Sequence, residues 1–252
     1  MGFCLDSEYL CNIKMLFSAF PHLLTLDFEE RIKQSIKVLH YQYLWGACKE
    51  AHAILSKTNA DNLFNLIMTL YNKRRKTHQA NFLLLHCFEN ALRSTLAVEI
   101  ASLYNTDKDN WFLKSQSDNA KENKLLKQIQ TIARTRNLQE FQNTFEVFDI
   151  FSLGDLQRIL SDHWGELAPL FNSQKTYKNQ ALPVYGTKQS LIAKIDKIRE
   201  ARNAIFHNKP TKIKFQRDLE ILLLRLGYNL QDAITIGEIQ SCITLRYNYS
   251  IC

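Results

Sequence analysis

The sequence predicts an all-α protein, an up-and-down four-helix bundle preceded by a helical extension. Three observations carry that expectation. Glycine and proline number only 7 and 4 among 252 residues, too few turn-formers for a many-stranded sandwich. Apolar residues recur at the 3.6-residue period along several stretches, whereas strand-like alternation is hard to find. Hydrophobic residues make up 46% of the chain, enough for a substantial core in one large domain or in one domain with an extension. On this reading residues 1–78 are the extension, 79–235 the bundle, and 236–252 a tail that is a short strand or irregular.

Taken in order, residues 1–75 predict several short helices broken at Pro21 and near Gly46. Phe28–His52 is amphipathic, with Ile32, Ile36, Leu39 and Tyr43 at helical spacing. The basic run Lys73, Arg74, Arg75, Lys76 closes this part. Such a run ordinarily marks a solvated helix end; contact with an RNA backbone is the functional alternative. A long helix follows from about Asn81 to Tyr104, with Leu85, Leu92, Leu96 and Leu103 on one face. Glu89 and Glu99 lie about 40° to either side of that stripe.

Residues 113–145 are polar, and the weakly amphipathic helix Lys121–Arg136 within them is expected to face solvent as an insertion. Ser152-Leu153-Gly154-Asp155 has the S-x-x-D form of a capping box and opens a helix through Trp164. Residues 172–187 read as a loop and Thr187–Phe206 as the next helix, which Pro210 prevents from continuing. A last helix covers roughly Lys214–Asp232.

A formal net charge of +7 permits a polyanionic partner and equally describes an ordinary basic protein. Six cysteines without C-x-x-C pairing exclude zinc-ribbon spacing and suit a reducing cytosol, so a cytoplasmic location is expected. Acidic Asp6 and Glu8 spoil a secretory leader, and Asp6 also stands where myristoylation wants Ser or Thr. The longest apolar runs, at Phe82–Leu85 and Ile221–Leu224, are far too short for a membrane span. His86, Cys87 and Glu89 are too few to define a metal site, and Gly186-Thr187-Lys188 lacks the glycine-rich turn of a phosphate loop. No cofactor or metal is expected.

The informative segment is Ser190–Pro210. Leu191, Ile195, Ile198 and Ile205 form an apolar seam whose missing member is Arg202. A permanent charge there must find a carboxylate, snorkel out, or face a cleft where charge is wanted. A structural pair with Glu89 or Glu99, or a stem lying along the core, stands beside the functional reading. His207 falls in the last turn before Pro210, where the helix dipole favours the imidazolium, and Asn203 four residues earlier shares its face. An imidazole can take the proton of a ribose 2′-hydroxyl or give one to a departing 5′-oxygen. An arginine can hold the phosphate between them, and such chemistry needs no metal. On an ideal helix, however, residues five apart point about 140° from each other. Either the helix end is distorted near Asn208, or a second copy completes the site across a symmetric interface.

Arg202-Asn203-Ala204-Ile205-Phe206-His207 resembles the R-x4-H motif of the HEPN (higher eukaryotes and prokaryotes nucleotide-binding) domains. Leu103-Tyr104-Asn105 followed by Trp111-Phe112 is similar to the end of that family's first helix, although many members have Gly where Asn105 stands. Phe151–Leu156, running on to His163-Trp164, resembles the second helix of abortive-infection-like members. The likeness covers roughly residues 80–235. It implies a HEPN-like bundle that dimerises to bring two motifs into one cleft, with Arg202 and His207 as the catalytic pair. Asn203, Glu89 and Glu99 would support them, and Lys73, Arg74, Arg75, Lys76 and Lys209 would contact RNA. Active members are metal-independent endoribonucleases, often toxins or anti-phage effectors, with an antitoxin or neighbouring defence protein as further partner. Other members are non-catalytic dimerisation or interaction modules, and a basic nucleic-acid binder without chemistry is the third class in play.

Overall fold

One helix, α4 (Leu63–Tyr104), runs 42 residues without a glycine or proline. Its start is capped by Asn62, whose side-chain oxygen accepts from the Asn65 backbone N–H at 2.9 Å. The computed structural model describes residues 5–105, 107–133 and 137–235. The tail 236–252, expected to be a strand or irregular, lies outside them. The chain divides into two compact units, residues 1–80 with 207–211, and residues 81–206 with those described from 212 onward. Residues 63–80 of α4 belong to the first unit and 81–104 to the second. Helix dominates both, and the strands among the described residues are a single two-residue hairpin. No described helix is long and apolar enough to cross a membrane.

The first unit packs α1 (Leu5–Leu16), α2 (Leu26–Val38), α3 (Tyr41–Leu55) and the start of α4. Ile13, Phe17, Ile32, Leu44, Cys48 and Ile67 are fully buried in its core, and burial pushes the Cys48 thiol up to about 12. Pro21 opens a short 3-10 turn, as its fixed φ favours. The amphipathic stretch 28–52 is two helices, because the chain is extended at Leu39 and His40. The His40 N–H exposed by that break donates to the Tyr71 hydroxyl at 3.4 Å. Gly46, expected to interrupt, lies inside α3. A Cβ there would sit 3.1 Å from the Arg74 guanidinium, so the glycine makes room for that side chain.

The expected helix start near Asn81 is also corrected, because the basic run 73–76 marks the solvated face of a continuing helix. Charge periodicity alone does not separate a face from an end.

In the second unit α4 is followed by a 3-10 turn at Trp111–Leu113, α5 (Ala120–Ala133), and α6 (Thr144–Asp149). Next come α7 (Leu153–Asp162), α8 (Trp164–Leu167), α9 (Pro169–Asn172), the strands β1 (Thr176–Tyr177) and β2 (Gln180–Ala181), and α10 (Lys188–Phe206). The last two helices are α11 (Gln216–Arg225) and α12 (Leu230–Thr235). The helix read at 121–136 as an insertion or solvent-facing rather than core is corrected for α5, one face of which is buried. Leu125, Leu126 and Ile129 of α5 are buried, and Lys121 and Lys124 pair with Glu166 and Asp162 at 2.6 and 2.8 Å. Few apolar positions suffice here because long polar stems complete the packing.

The capping box forms as read. Ser152 Oγ accepts from the Asp155 N–H at 3.3 Å and Asp155 accepts from the Ser152 N–H at 3.1 Å. The helix it opens stops at Asp162, with His163 standing between α7 and α8. His163 is buried and uses both ring nitrogens. Nδ1–H donates to the Ile159 carbonyl at 3.0 Å, so Nε2 accepts from the Tyr104 hydroxyl at 2.8 Å. Burial holds this imidazole below its ordinary range, and it sits neutral in the core.

Loop 172–187 contains the hairpin, whose central residues Lys178 and Asn179 both have positive φ, the geometry that suits a two-residue turn. The expected final helix is divided by Gly227 at φ +89°. Tyr228 N–H reaches the Leu223 carbonyl at 2.9 Å and Gly227 N–H the Leu224 carbonyl at 3.1 Å, a Schellman ending.

Two outcomes test these local readings. Ser152→Ala removes an N-cap acceptor and is expected to lower stability by about 1 kcal/mol, read from the denaturant midpoint. Because folding depresses the His163 pKa, its contribution is complete above the unfolded value near 6.5 and is lost as pH falls, since only the unfolded chain takes up that proton. His163→Gln keeps an acceptor for Tyr104 and is expected to flatten the fall in stability below about pH 6.5.

Candidate functional site

On α4, Phe82, His86, Glu89, Asn90 and Arg93 fall within a sector of about 100°. Glu89 is the buried member, 7% exposed, and its two oxygens are held by different arginines. Arg93 Nη2 donates to Oε1 at 3.1 Å. The same guanidinium donates to the carbonyls of Phe148 and Phe151 at 3.2 and 3.1 Å and to Asn90 at 2.9 Å, so Arg93 pins α4 to the joint between α6 and α7. Arg202 of α10 donates through Nε to Oε2 of Glu89 at 3.1 Å.

The pair with Glu89 foreseen as the structural alternative is therefore real. It is also incomplete. The contact uses Nε alone, and the two terminal nitrogens of Arg202 make no hydrogen bond among the described residues. The side chain is 26% exposed, with its guanidinium carbon 4.1 Å from the Phe206 ring centroid. A cation so placed is oriented by a carboxylate on one side and an aromatic face on the other, and it keeps a fork of N–H donors for an anion.

The other end of the motif behaves differently. α10 ends at Phe206, and Asn208 takes φ +54°, the left-handed conformation asparagine tolerates at a helix end. His207 is the first residue past the helix. Asn203, His207 and Lys209 are exposed. Arg202 and Asn203 belong to the second unit, and His207 and Lys209 to the first.

Within the first unit, the Asn208 side chain bonds His78, whose Nδ1 lies 2.6 Å from the Tyr43 hydroxyl. Burial draws His78 below its ordinary range, the Asn208 bond opposes this, and the charge of His40 adds to it. Nothing in the sequence marks that imidazole, because Tyr43, His78 and Asn208 are brought together only by tertiary folding.

Glu99 does not join Glu89. It is half-buried, and its charge acts instead on Lys175, whose pKa is lowered chiefly by burial and by Arg225 while Glu99 works against that. Of the basic run, Lys73, Arg75 and Lys76 are exposed, whereas Arg74 is committed to Glu50 at 2.7 Å against the space left by Gly46.

His86 is exposed on the same face of α4. Asn90, whose side-chain oxygen accepts from Arg93, has its amide nitrogen 3.1 Å from His86 Nε2. The i, i+4 spacings Phe82–His86–Asn90 and Glu89–Arg93 were the available signal. Beside this row lies a cavity of about 530 Å³ walled by Leu83, His86, Asn90, Thr95 and Tyr228 among others.

No protein-family model, curated protein or solved structure matches the chain.

The shared carboxylate gives a direct test. Glu89→Ala leaves two guanidinium groups facing each other around a small void, and a loss of about 3–5 kcal/mol in the unfolding free energy is expected. A denaturation midpoint unchanged in that variant would show that Glu89 does not anchor the two arginines.

Proposed function

We propose that the chain is a metal-independent endoribonuclease of HEPN type, working as a homodimer on cellular RNA, as a toxin or anti-phage effector. The single observation behind this reading is the state of Arg202: a cation in an apolar seam, oriented through one nitrogen and with its fork unspent, five residues before an exposed histidine. In this scheme Arg202 grips the scissile phosphate and offsets charge developing on its oxygens. The His207 imidazole of one copy takes the 2′-hydroxyl proton. The 2′-oxygen then bonds to phosphorus, the P–O5′ bond breaks, and the imidazole of the other copy protonates the 5′-oxygen. The products are a 2′,3′-cyclic phosphate and a 5′-hydroxyl end. Asn203 supports the site, and exposed Lys73, Arg75, Lys76 and Lys209 meet the backbone. Arg74, already paired with Glu50, leaves that group.

The Arg202–Glu89 bond itself favours a second reading, a non-catalytic HEPN-like bundle for dimerisation or interaction in which the arginine only joins two helices. Incubating the purified full chain with total RNA in EDTA separates the two. Cleavage is expected from the wild type, with a fall of about 10²–10⁴-fold in His207→Ala. Arg202→Lys, which keeps a charge against Glu89 but lacks the fork, should also lose cleavage while remaining folded. Expression of the wild type should arrest growth, and both substitutions should relieve it. A wild-type chain that leaves RNA intact sinks the enzyme reading; if it still binds RNA, the protein is a basic binder without chemistry.

A further inference from the structure

Phe206 has two partners. The Arg202 guanidinium carbon lies 4.1 Å from its ring centroid, and the Phe82 ring stacks on it at 4.3 Å with an interplanar angle of 22°. Two groups cannot share one face of a phenyl ring at those distances, so they occupy opposite faces. The order is Arg202, Phe206, Phe82. Both faces of Phe206 are taken, whereas Phe82 is covered on one face and remains 42% exposed.

A single exposed phenylalanine is ordinary on a protein surface. This one differs in its surroundings. Its ring is held by stacking rather than free to rotate into a core, and two layers away, on the far side of Phe206, a cation offers unspent N–H donors. An exposed aromatic ring at one end of the stack and an oriented guanidinium at the other complement a ligand that carries a flat ring and an anion spaced by the width of that stack. An unpaired nucleotide has that chemistry, base at one end and phosphate at the other. A paired, stacked base cannot present its face to Phe82, which restricts the ligand to single-stranded RNA.

We infer that the outer face of Phe82 is a stacking platform for an unpaired base next to the phosphate gripped by Arg202. The inference rests on the ribonuclease reading for that phosphate, and it names the substrate as single-stranded. Phe82 is then a specificity-determining residue. It selects for an unstacked nucleotide at the cut and takes no part in proton transfer.

The test uses the full chain and a single-stranded oligoribonucleotide with 2′-O-methyl riboses throughout, which cannot be cut through the 2′-oxygen, carrying 2-aminopurine. Binding of the wild type is expected to quench the fluorescence by stacking. Phe82→Ala should lose the quenching and bind about 5- to 150-fold more weakly, the range that loss of one base–aromatic stack gives. Phe82→Trp should restore both, and the same sequence as a duplex should bind less well than the single strand. Unchanged quenching and affinity in Phe82→Ala would overturn the inference. So would a change of oligomeric state by light scattering with RNA affinity unchanged, since Phe82 would then be a protein contact. A parallel assay on unmodified RNA keeps the two readings apart. Cleavage by the wild type with Phe82→Ala indistinguishable in both assays removes the platform and leaves the ribonuclease. Quenching that depends on Phe82 in a wild type that never cleaves keeps the platform and removes the ribonuclease.

Discussion

The second unit turns on one carboxylate. Glu89 is nearly closed off from water, and isolated there it would be intolerable as an anion. Arg93 and Arg202 each take one of its oxygens, and through them three segments are tied together: α4, α10, and the carbonyls at the joint of α6 and α7. The pairing also explains how a guanidinium can stand in the seam of Leu191, Ile195, Ile198 and Ile205. Ionic contacts of this kind contribute little net stability against an apolar alternative, because desolvation of both charges offsets their attraction. What they supply is orientation. A leucine at position 202 would pack as well and could hold nothing.

Polar groups just beyond the end of α4 are held in the same way. Beyond the end of α4, Asp109 accepts from the backbone N–H and the hydroxyl of Thr144 and from Asn105, while the indole N–H of fully buried Trp111 donates to Thr144 Oγ1 at 2.8 Å. Burial would raise the Asp109 pKa, but these donors more than compensate and hold the carboxyl below its usual value. Tyr104 and His163 form the neighbouring pair, neutral and mutually satisfied. Side chains with no partners to spare keep a fixed geometry, and that rigidity fixes the C-terminal end of α4.

Much of the helical content was legible because periodicity and capping are local. The capping box at Ser152 and the helix ending at Phe206 were read from neighbours in sequence, and they lie where short-range chemistry puts them. The errors have a common cause. The start of α4, the place of Gly46, the burial of α5 and the division at Gly227 each depend on what a segment packs against. For the site, Arg202 was flagged by the gap it leaves in an apolar series, and Glu89 was named as a partner from its angle on the helix. Phe82 and His78 went unmarked, because a lone aromatic or imidazole acquires meaning only from its neighbours in space.

Arg225 carries a further consequence. It is fully buried, with no carboxylate at hand among the described residues, and its hydrogen bonds go to the carbonyls of Pro183 and Ser173 at 3.0 and 2.6 Å. Lys175 returns a bond to the Arg225 carbonyl at 2.8 Å. Burial depresses the guanidinium's pKa, yet it keeps its proton at any physiological pH. The hairpin segment is thus latched to α11 by contacts 42 to 52 residues apart in sequence. Loops of that span close late, since chain entropy must be lost before the bonds form. The arm between Ser173 and Pro183 is therefore held by contacts that exist only once α11 is in place. Releasing the arm would strip a buried cation of its carbonyl acceptors, and the cost of an unpaired charge in the interior is what holds the arm closed.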